Sequence, residues 1–253
     1  MIENNQSWAS YSQEYQSNCF CSDADFHYAL CAGGEKDYQL LPDLLGAIVC
    51  DVGSGTGENA AYLARSAKVV VGVEPSRRFV EEATVRYKSM QNLVFKCTDF
   101  LSLDLESIKL QKFNLITFIQ SLDYMVIDER FFSKLNAITE RGSWVVISKM
   151  HPMWTTLFDH ELDEMKFDKS YFHRRVDNVL YGKCLFRRVH YSLEELVESF
   201  ARNGWMLEKL KEPQPVSKDR AAFIMGSCYE DDLLMERMSK YPMTLLLRLE
   251  RFD

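Results

Sequence analysis

Val49-Cys50-Asp51-Val52-Gly53-Ser54-Gly55-Thr56-Gly57-Glu58-Asn59-Ala60 is the stretch that decides how this chain is read. An apolar run ends in a carboxylate, three glycines alternate, and a helix begins. Alternating glycines permit positive φ angles and let a ligand lie against bare backbone. The helix that follows offers N–H groups that no carbonyl of its own can take. Gly55 to Ala60 also satisfies the GxGxxA form of a dinucleotide fingerprint, so the loop alone fits more than one ligand. Two carboxylates discriminate. Asp51 stands two residues before the first glycine, where it repels a pyrophosphate and attracts a cationic amino group. Glu74 ends the next apolar run, 23 positions further on, where a carboxylate can accept both hydroxyls of a ribose. A ligand with a ribose, an ammonium group and no phosphate satisfies both, and S-adenosylmethionine is such a ligand.

Outward from this loop the chain alternates strand and helix patterns. Ala47–Cys50, Val69–Val73, Leu93–Phe95, Leu115–Ile119 and Trp144–Ile147 are short continuous apolar runs, the signature of strands covered on both faces. Between them, Phe79, Val80, Ala83, Thr84 and Tyr87 share one helical face. Phe131, Phe132, Leu135 and Ile138 share another, with Asp128 placed to cap it. The alternation predicts an α/β fold with a Rossmann-like, mainly parallel sheet flanked by helices. After His151 the rhythm changes. Residues 151–191 are rich in aromatics, Met, His and Arg, without strand–helix alternation. Ser192-Leu193-Glu194-Glu195 then reads as a capping box with Gly204 as the helix stop. Met206–Leu210 and Thr244–Arg251 are the last strand candidates. The sequence thus predicts seven strands, the last antiparallel, with a cap insertion after the fifth. It predicts a single domain over 1–253: an N-terminal helical segment 1–45, a cofactor core 46–150, a substrate cap 151–191 and a C-terminal part of the core 192–253.

Over most of its length, roughly residues 8 to 251, the sequence resembles the class I S-adenosylmethionine-dependent methyltransferases. The motif DVGSGTG carries the likeness, with Glu74-Pro75-Ser76, Cys97-Thr98-Asp99-Phe100, FNLITFIQSLDYM from 113 to 125, and RGSWVVIS from 141 to 148. The resemblance implies that Asp51, Gly53, Ser54, Gly55 and Gly57 with Glu74 and Pro75 hold the cofactor. It implies that Asp99 and Phe100 meet the adenine and that Gln120 and Ser121 lie near the methionine portion. A narrower similarity is to small-molecule methyltransferases of the bacterial ubiquinone and natural-product type. It rests on Trp8, Tyr11 and Tyr15, on His27-Tyr28, on His151-Pro152 and on residues 191–215, and it adds Tyr15 and Tyr28 as cofactor contacts. The chain departs from that type at Ala29, where a Gly is usual, and at Asp123, where many relatives carry His. The Asn-Pro-Pro-Tyr tetrad of some amino-methylating relatives is replaced by Gln120-Ser121-Leu122-Asp123.

Composition narrows the partners. The 253 residues are 47% hydrophobic and 26% charged, an ordinary globular balance. The formal net charge of -7 argues against nucleic acid, which asks for a basic face. No run approaches the roughly 18 apolar residues of a membrane helix, and the polar start lacks a signal-peptide layout. Seven cysteines, an odd number without a CxxC pair, predict free thiols, no metal site and a reducing cytoplasmic setting. The expected partner is a small-molecule methyl acceptor, and the expected state a monomer or homodimer.

Displacement at a sulfonium carbon needs mainly alignment, and a general base only where the acceptor must lose a proton. His151, Asp123 and His173 are the candidate bases, with His151 favoured by its place after the fifth strand. Each has a structural counterpart: a capped turn before Pro152, a helix cap, an exposed strand. Arg174, Arg175, Arg187 and Arg188 could meet an anionic acceptor or lie on a solvated face. Two other functions stay open: a cofactor-binding sensor or assembly subunit without transferase activity, and a protein or RNA methyltransferase.

Overall fold

The structure, a computed structural model, describes residues 4, 6–11, 22–29, 32–106, 110, 112–159, 164–181, 183–216 and 232–253. Tyr15 and the cysteines at 19, 21, 31 and 228 lie outside the described residues. Cys50, Cys97 and Cys184 are free thiols.

Seven strands form one sheet: β1 (Ile48–Val52), β2 (Val69–Glu74), β3 (Leu93–Cys97), β4 (Phe113–Ile119), β5 (Thr139–Met150), β8 (Trp205–Lys211) and β9 (Thr244–Arg251). Their order across the sheet is β8-β9-β5-β4-β1-β2-β3. All pairs from β5 to β3 are parallel, and β9 runs antiparallel to both its neighbours. Strand side chains alternate between faces, and here both faces are dry. Cys50, Val52, Ile116, Phe118, Val145 and Ile147 point to one, where α3 (Glu129–Ala137) and α5 (Leu193–Arg202) pack through Phe131, Leu135, Leu196 and Phe200. Val49, Val70, Leu115 and Val146 point to the other, under Leu40, Leu44 and the alanines of α1 (Glu58–Ala64). This double burial is why the strands read as unbroken apolar runs.

The predicted caps form. Asp128 accepts from Phe131 N at 3.1 Å and Ser192 from Glu195 N at 3.1 Å; Gly204 ends its helix at φ +88°. In α2 (Arg77–Arg86) the buried stripe is narrower than the sequence predicts. Phe79 and Ala83 are buried, but Thr84 is exposed, because the helix touches the sheet edge along one ridge. β5 starts earlier than its apolar run. Glu140–Ser143 bulge out between the pairs Phe113↔Thr139 and Leu115↔Trp144, with Gly142 at φ +82°. Ser143 Oγ closes the bulge, accepting from Glu140 N and donating to Phe113 O.

The segment after β5 is not featureless. It holds a short helix α4 (Pro152–Leu157), paired stubs Phe158–Asp159 and Glu164–Met165, and an antiparallel hairpin, β6 (Arg175–Tyr181) with β7 (Cys184–His190). The hairpin packs on the turn Leu122–Tyr124 that follows β4. The N-terminal helical segment is bonded to the hairpin's strand β7. Asn4 exchanges two 2.9 Å hydrogen bonds with the backbone of Arg187, and Ser7 Oγ donates to Leu185 O at 2.5 Å. No described helix is long and apolar enough to cross a membrane.

Candidate active site

In the sheet order the chain runs outward from β1 through β2 to β3, then returns to place β4 on the other side of β1. A crevice opens at the carboxyl ends of strands where the order reverses in this way. Val52-Gly53 and Ile119-Gln120-Ser121 face each other across it. Ser121 Oγ donates to Val52 O at 2.6 Å, so the two strand ends are drawn together. Gly53 makes this possible. It has φ +77°, and a Cβ there would lie 2.5 Å from Ser121 Cβ. Gly55, at φ +52°, has open space where a Cβ would go. Gly57, at φ +91°, starts α1, and Phe95 leaves it no room for a side chain.

These two glycines give opposed predictions. Gly53→Ala is expected to destabilise the fold by about 2–3 kcal/mol, from the left-handed backbone and the displaced Ser121. Adding Ser121→Gly is expected to restore part of that loss. Gly55→Ala is expected to cost only about 1–2 kcal/mol of backbone strain, yet its methyl enters the cleft and weakens cofactor binding. Thermal unfolding and S-adenosylhomocysteine titration of the three variants separate a fold role from a ligand role.

The cleft at this crevice occupies about 870 Å³ counted out to open solvent. Gly53, Gly55, Glu74 and Pro75 form its floor, Thr98, Asp99 and Phe100 one end, and Gln120, Ser121, Tyr124 and Met125 the other. Trp8 closes it from the N-terminal helical segment, edge-on to Tyr124 at 5.4 Å and 4.6 Å from the ring of Phe186 on the hairpin.

The carboxylates are arranged for a ligand that is cationic and hydroxylated. Asp51 is 2% exposed. Its Oδ1 accepts from Thr117 Oγ1 at 2.6 Å, while Oδ2 is buried with no partner. Burial pushes its carboxyl up to about 6, Thr117 opposing and the nearby Glu58 adding to it. Glu74 accepts Ser76 N at 2.8 Å on one oxygen and Gly55 N at 3.2 Å on the other. Burial pushes it to about 7 against those two N–H groups, with Asp51 adding. An unpartnered buried oxygen and a strongly raised carboxyl beside a side-chain-free loop fit an ammonium and a ribose diol. Asp99 lies at the cleft, but its own oxygens are turned into the following turn, accepting from Leu101 N, Ser102 N and Ser102 Oγ. Gln120 holds φ +55°, which an L-residue adopts at a cost of about 1–2 kcal/mol. Its N–H to Ser148 O at 2.7 Å and its Nε2 to Ser148 Oγ at 2.8 Å hold that strain in place.

The remaining predicted residues sit differently. Ser54 is buried with an unpartnered Oγ. Tyr28 packs in the core, edge-on to Phe26 at 5.0 Å, with its hydroxyl on Glu35; only its carbonyl approaches the crevice, accepting from Ser148 Oγ. Asp123 is 3% exposed, accepts from Met150 N at 2.9 Å and pairs with Lys149 Nζ at 2.9 Å. His151 caps α4: its Nδ1 accepts from Met153 N at 3.0 Å, so the neutral ring carries its proton on Nε2. That nitrogen lies 2.9 Å from Glu212 Oε1 but is not aligned as a hydrogen bond. Burial holds His151 below its ordinary value, Glu212 opposing and Lys149 reinforcing. His173 is exposed in a bend before β6 rather than in a strand. Neither Asp123 nor His151 lines the cleft. Sequence reasoning passed over Tyr124, Met125 and Lys149. Tyr124 is the aromatic directly after Asp123 in the turn following β4, and that position was its only signal.

A family model described as methyltransferase domain matches residues 45–242. The chain belongs to the methyltransferase domain family. It is of the class I type that uses S-adenosylmethionine. The ubiquinone biosynthesis O-methyltransferase of Rhodopseudomonas palustris (strain BisB18) is 24% identical over 127 residues. That match covers 50% of this chain and 48% of the relative, so the methyltransferase spans about half the length of the curated relative it matches. A S-adenosylmethionine dependent methyltransferase from Mesorhizobium loti superposes with a TM-score of 0.66 at 18% identity, covering 85% of this chain and 95% of that one. The [4+2]-cyclase SpnF superposes at 0.63 and 16% identity, covering 98% and 95%. One architecture therefore accompanies more than one named activity, and the reaction has to be argued from the site.

Proposed function

We propose that this methyltransferase moves a methyl group from S-adenosylmethionine to an oxygen or nitrogen of a small molecule. The observation that carries the reading is the cleft itself. Its floor offers bare backbone and the raised carboxyl of Glu74, with the raised carboxyl of Asp51 buried beside it at the end of β1, and its roof is a compact aromatic lid of Trp8 and Tyr124 backed by Phe186. Such a lid suits a compact acceptor better than a polymer. When bound, the cofactor supplies a methyl carbon already activated by a sulfonium. The residues do the rest. Asp51 and Glu74 anchor the amino and ribose groups, Asp99 and Phe100 border the base, and Gln120 and Ser121 border the methionine chain. Trp8 and Tyr124 exclude water and hold the acceptor in line, which can contribute several kcal/mol by orientation alone. Asp123, through Lys149 and Met150, fixes the turn that presents Tyr124, and His151 fixes the start of the cap; both are positioning residues in this reading.

Calorimetric titration with S-adenosylhomocysteine, followed by transfer of labelled methyl to fractions of cell extract, tests the proposal. Binding followed by a labelled small molecule supports it. Failure to bind at about 1 mM, or label found only in protein or RNA, overturns it. Binding without any transfer favours a sensor or assembly subunit instead.

A further inference from the structure

We propose that Arg188 is the anion-binding residue of the acceptor site, and that the acceptor is a small molecule bearing a carboxylate on an aromatic body. The inference rests on the methyl-transfer reading above and names the substrate class for it. Of the four arginines in the cap, Arg174 and Arg187 are exposed and Arg175 is half-buried, but Arg188 is 4% exposed. A buried guanidinium is costly unless it is paired and its donors are used. Arg188 has neither. Its Nη1 makes one long hydrogen bond, 3.5 Å to Tyr181 Oη, and its Nε is buried with no partner.

The nearby carboxylates are already engaged. Asp177 stands directly opposite Arg188 across the hairpin, yet its Oδ1 holds Arg175 at 3.0 Å, and its Oδ2 stays unpartnered. Asp123 holds Lys149 at 2.9 Å. Among the described residues, Lys149, Arg175 and Arg188 therefore face two carboxylates, Asp123 and Asp177, where the cap meets β5 and the turn after β4, and the surplus charge is that of Arg188. The surplus lies one aromatic layer from the cofactor cleft. Tyr181 packs on Phe186 at 5.3 Å, and Phe186 packs on Trp8 at 4.6 Å and Tyr124 at 6.0 Å, both of which line the cleft. A guanidinium fork matches a carboxylate with two parallel hydrogen bonds, and aromatic walls suit an aromatic body. The carboxylate gripped by Arg188 is the handle; the methylated oxygen or nitrogen is another atom of the same molecule, held toward the sulfonium.

The test is calorimetry on the whole chain saturated with S-adenosylhomocysteine. Benzoate, 4-hydroxybenzoate, 4-aminobenzoate and 4-hydroxycinnamate are each compared with the matching primary amide. At least one acid is expected to bind about tenfold or more tighter than its amide. Arg188→Met is expected to abolish that preference, and Arg188→Lys to reduce it, while both keep S-adenosylhomocysteine affinity. If Arg188→Met does not fold, the wild-type comparison and Arg188→Lys decide. Acids binding no tighter than amides, or a preference that survives the loss of Arg188, would overturn the proposal. A wild-type chain that does not bind S-adenosylhomocysteine overturns the methyl-transfer reading first, so the two failures are distinguishable.

Discussion

Glu74→Gln is expected to make the free protein more stable at pH 8 and to weaken its hold on S-adenosylmethionine by about 10²-fold. Both effects come from one carboxyl. Folded, it titrates near 7, raised from 4.5 chiefly by burial. The folded chain therefore holds this proton more tightly than the unfolded chain does. The stability it contributes is complete below about pH 4.5 and is lost as the pH rises through 7. At pH 8 the ionised group costs about 3 kcal/mol relative to water. A neutral amide avoids that cost but has one acceptor oxygen for the two N–H groups of Gly55 and Ser76 that the carboxylate serves. The net gain is about 1–2 kcal/mol. The ribose loses an ionised acceptor for its hydroxyls. Unfolding measured at pH 5 and pH 8 should show the wild type losing stability over that interval by more than the variant. Equal pH dependence in the two proteins would remove burial as the cause. Unchanged S-adenosylhomocysteine affinity would remove Glu74 from the ribose site. On the proposed function the site is thus built at the expense of the free fold, and cofactor contacts would offset what burial of Asp51 and Glu74 costs.

The same contrast explains what was legible in the sequence. β1, β2 and β4 announced themselves because residues on both faces are apolar, and the glycine loop did so because a positive φ and a close neighbour exclude any side chain at Gly53. The hairpin β6–β7 was silent because its inner face mixes charge with apolar groups. Arg175 and Asp177 turn inward as an ion pair and Arg188 is buried on the same face as Val179 and Phe186, while Val176, Leu180 and Leu185 are about half exposed. A strand with charged residues on its buried face gives no clean amphipathic alternation. The start of β5 was hidden by a bulge carrying Glu140 and Arg141. Asp99 and Tyr28 show a different limit. Position in a motif brings a residue to the right loop, but its partners decide what it does: the turn at Ser102 takes Asp99's oxygens, and Glu35 takes the Tyr28 hydroxyl.

Asp123 and Lys149 are where positioning and proton transfer can be told apart, and where a single change is expected to cost most. The pair is almost wholly enclosed, with side chains 4% and 1% exposed. Lys149→Met leaves Asp123 with the Met150 N–H as its remaining hydrogen-bond partner, and breaking a buried ion pair in this way costs about 3–5 kcal/mol, reduced here by the field of the nearby Arg188. It also removes a cation that holds His151 down, so His151 should titrate closer to its ordinary value. The double change Asp123→Leu with Lys149→Met is expected to recover most of the lost stability, since apolar replacement of a whole buried pair is often neutral. Transfer of labelled methyl to the extract acceptor then discriminates. If Asp123 only fixes the turn carrying Tyr124, the refolded double variant keeps transfer with the wild-type pH profile. If it binds S-adenosylhomocysteine normally but transfers nothing, Asp123 belongs to the chemistry. The geometry favours the first outcome, because the Asp123 oxygens are taken by Lys149 Nζ and Met150 N and the residue does not line the cleft.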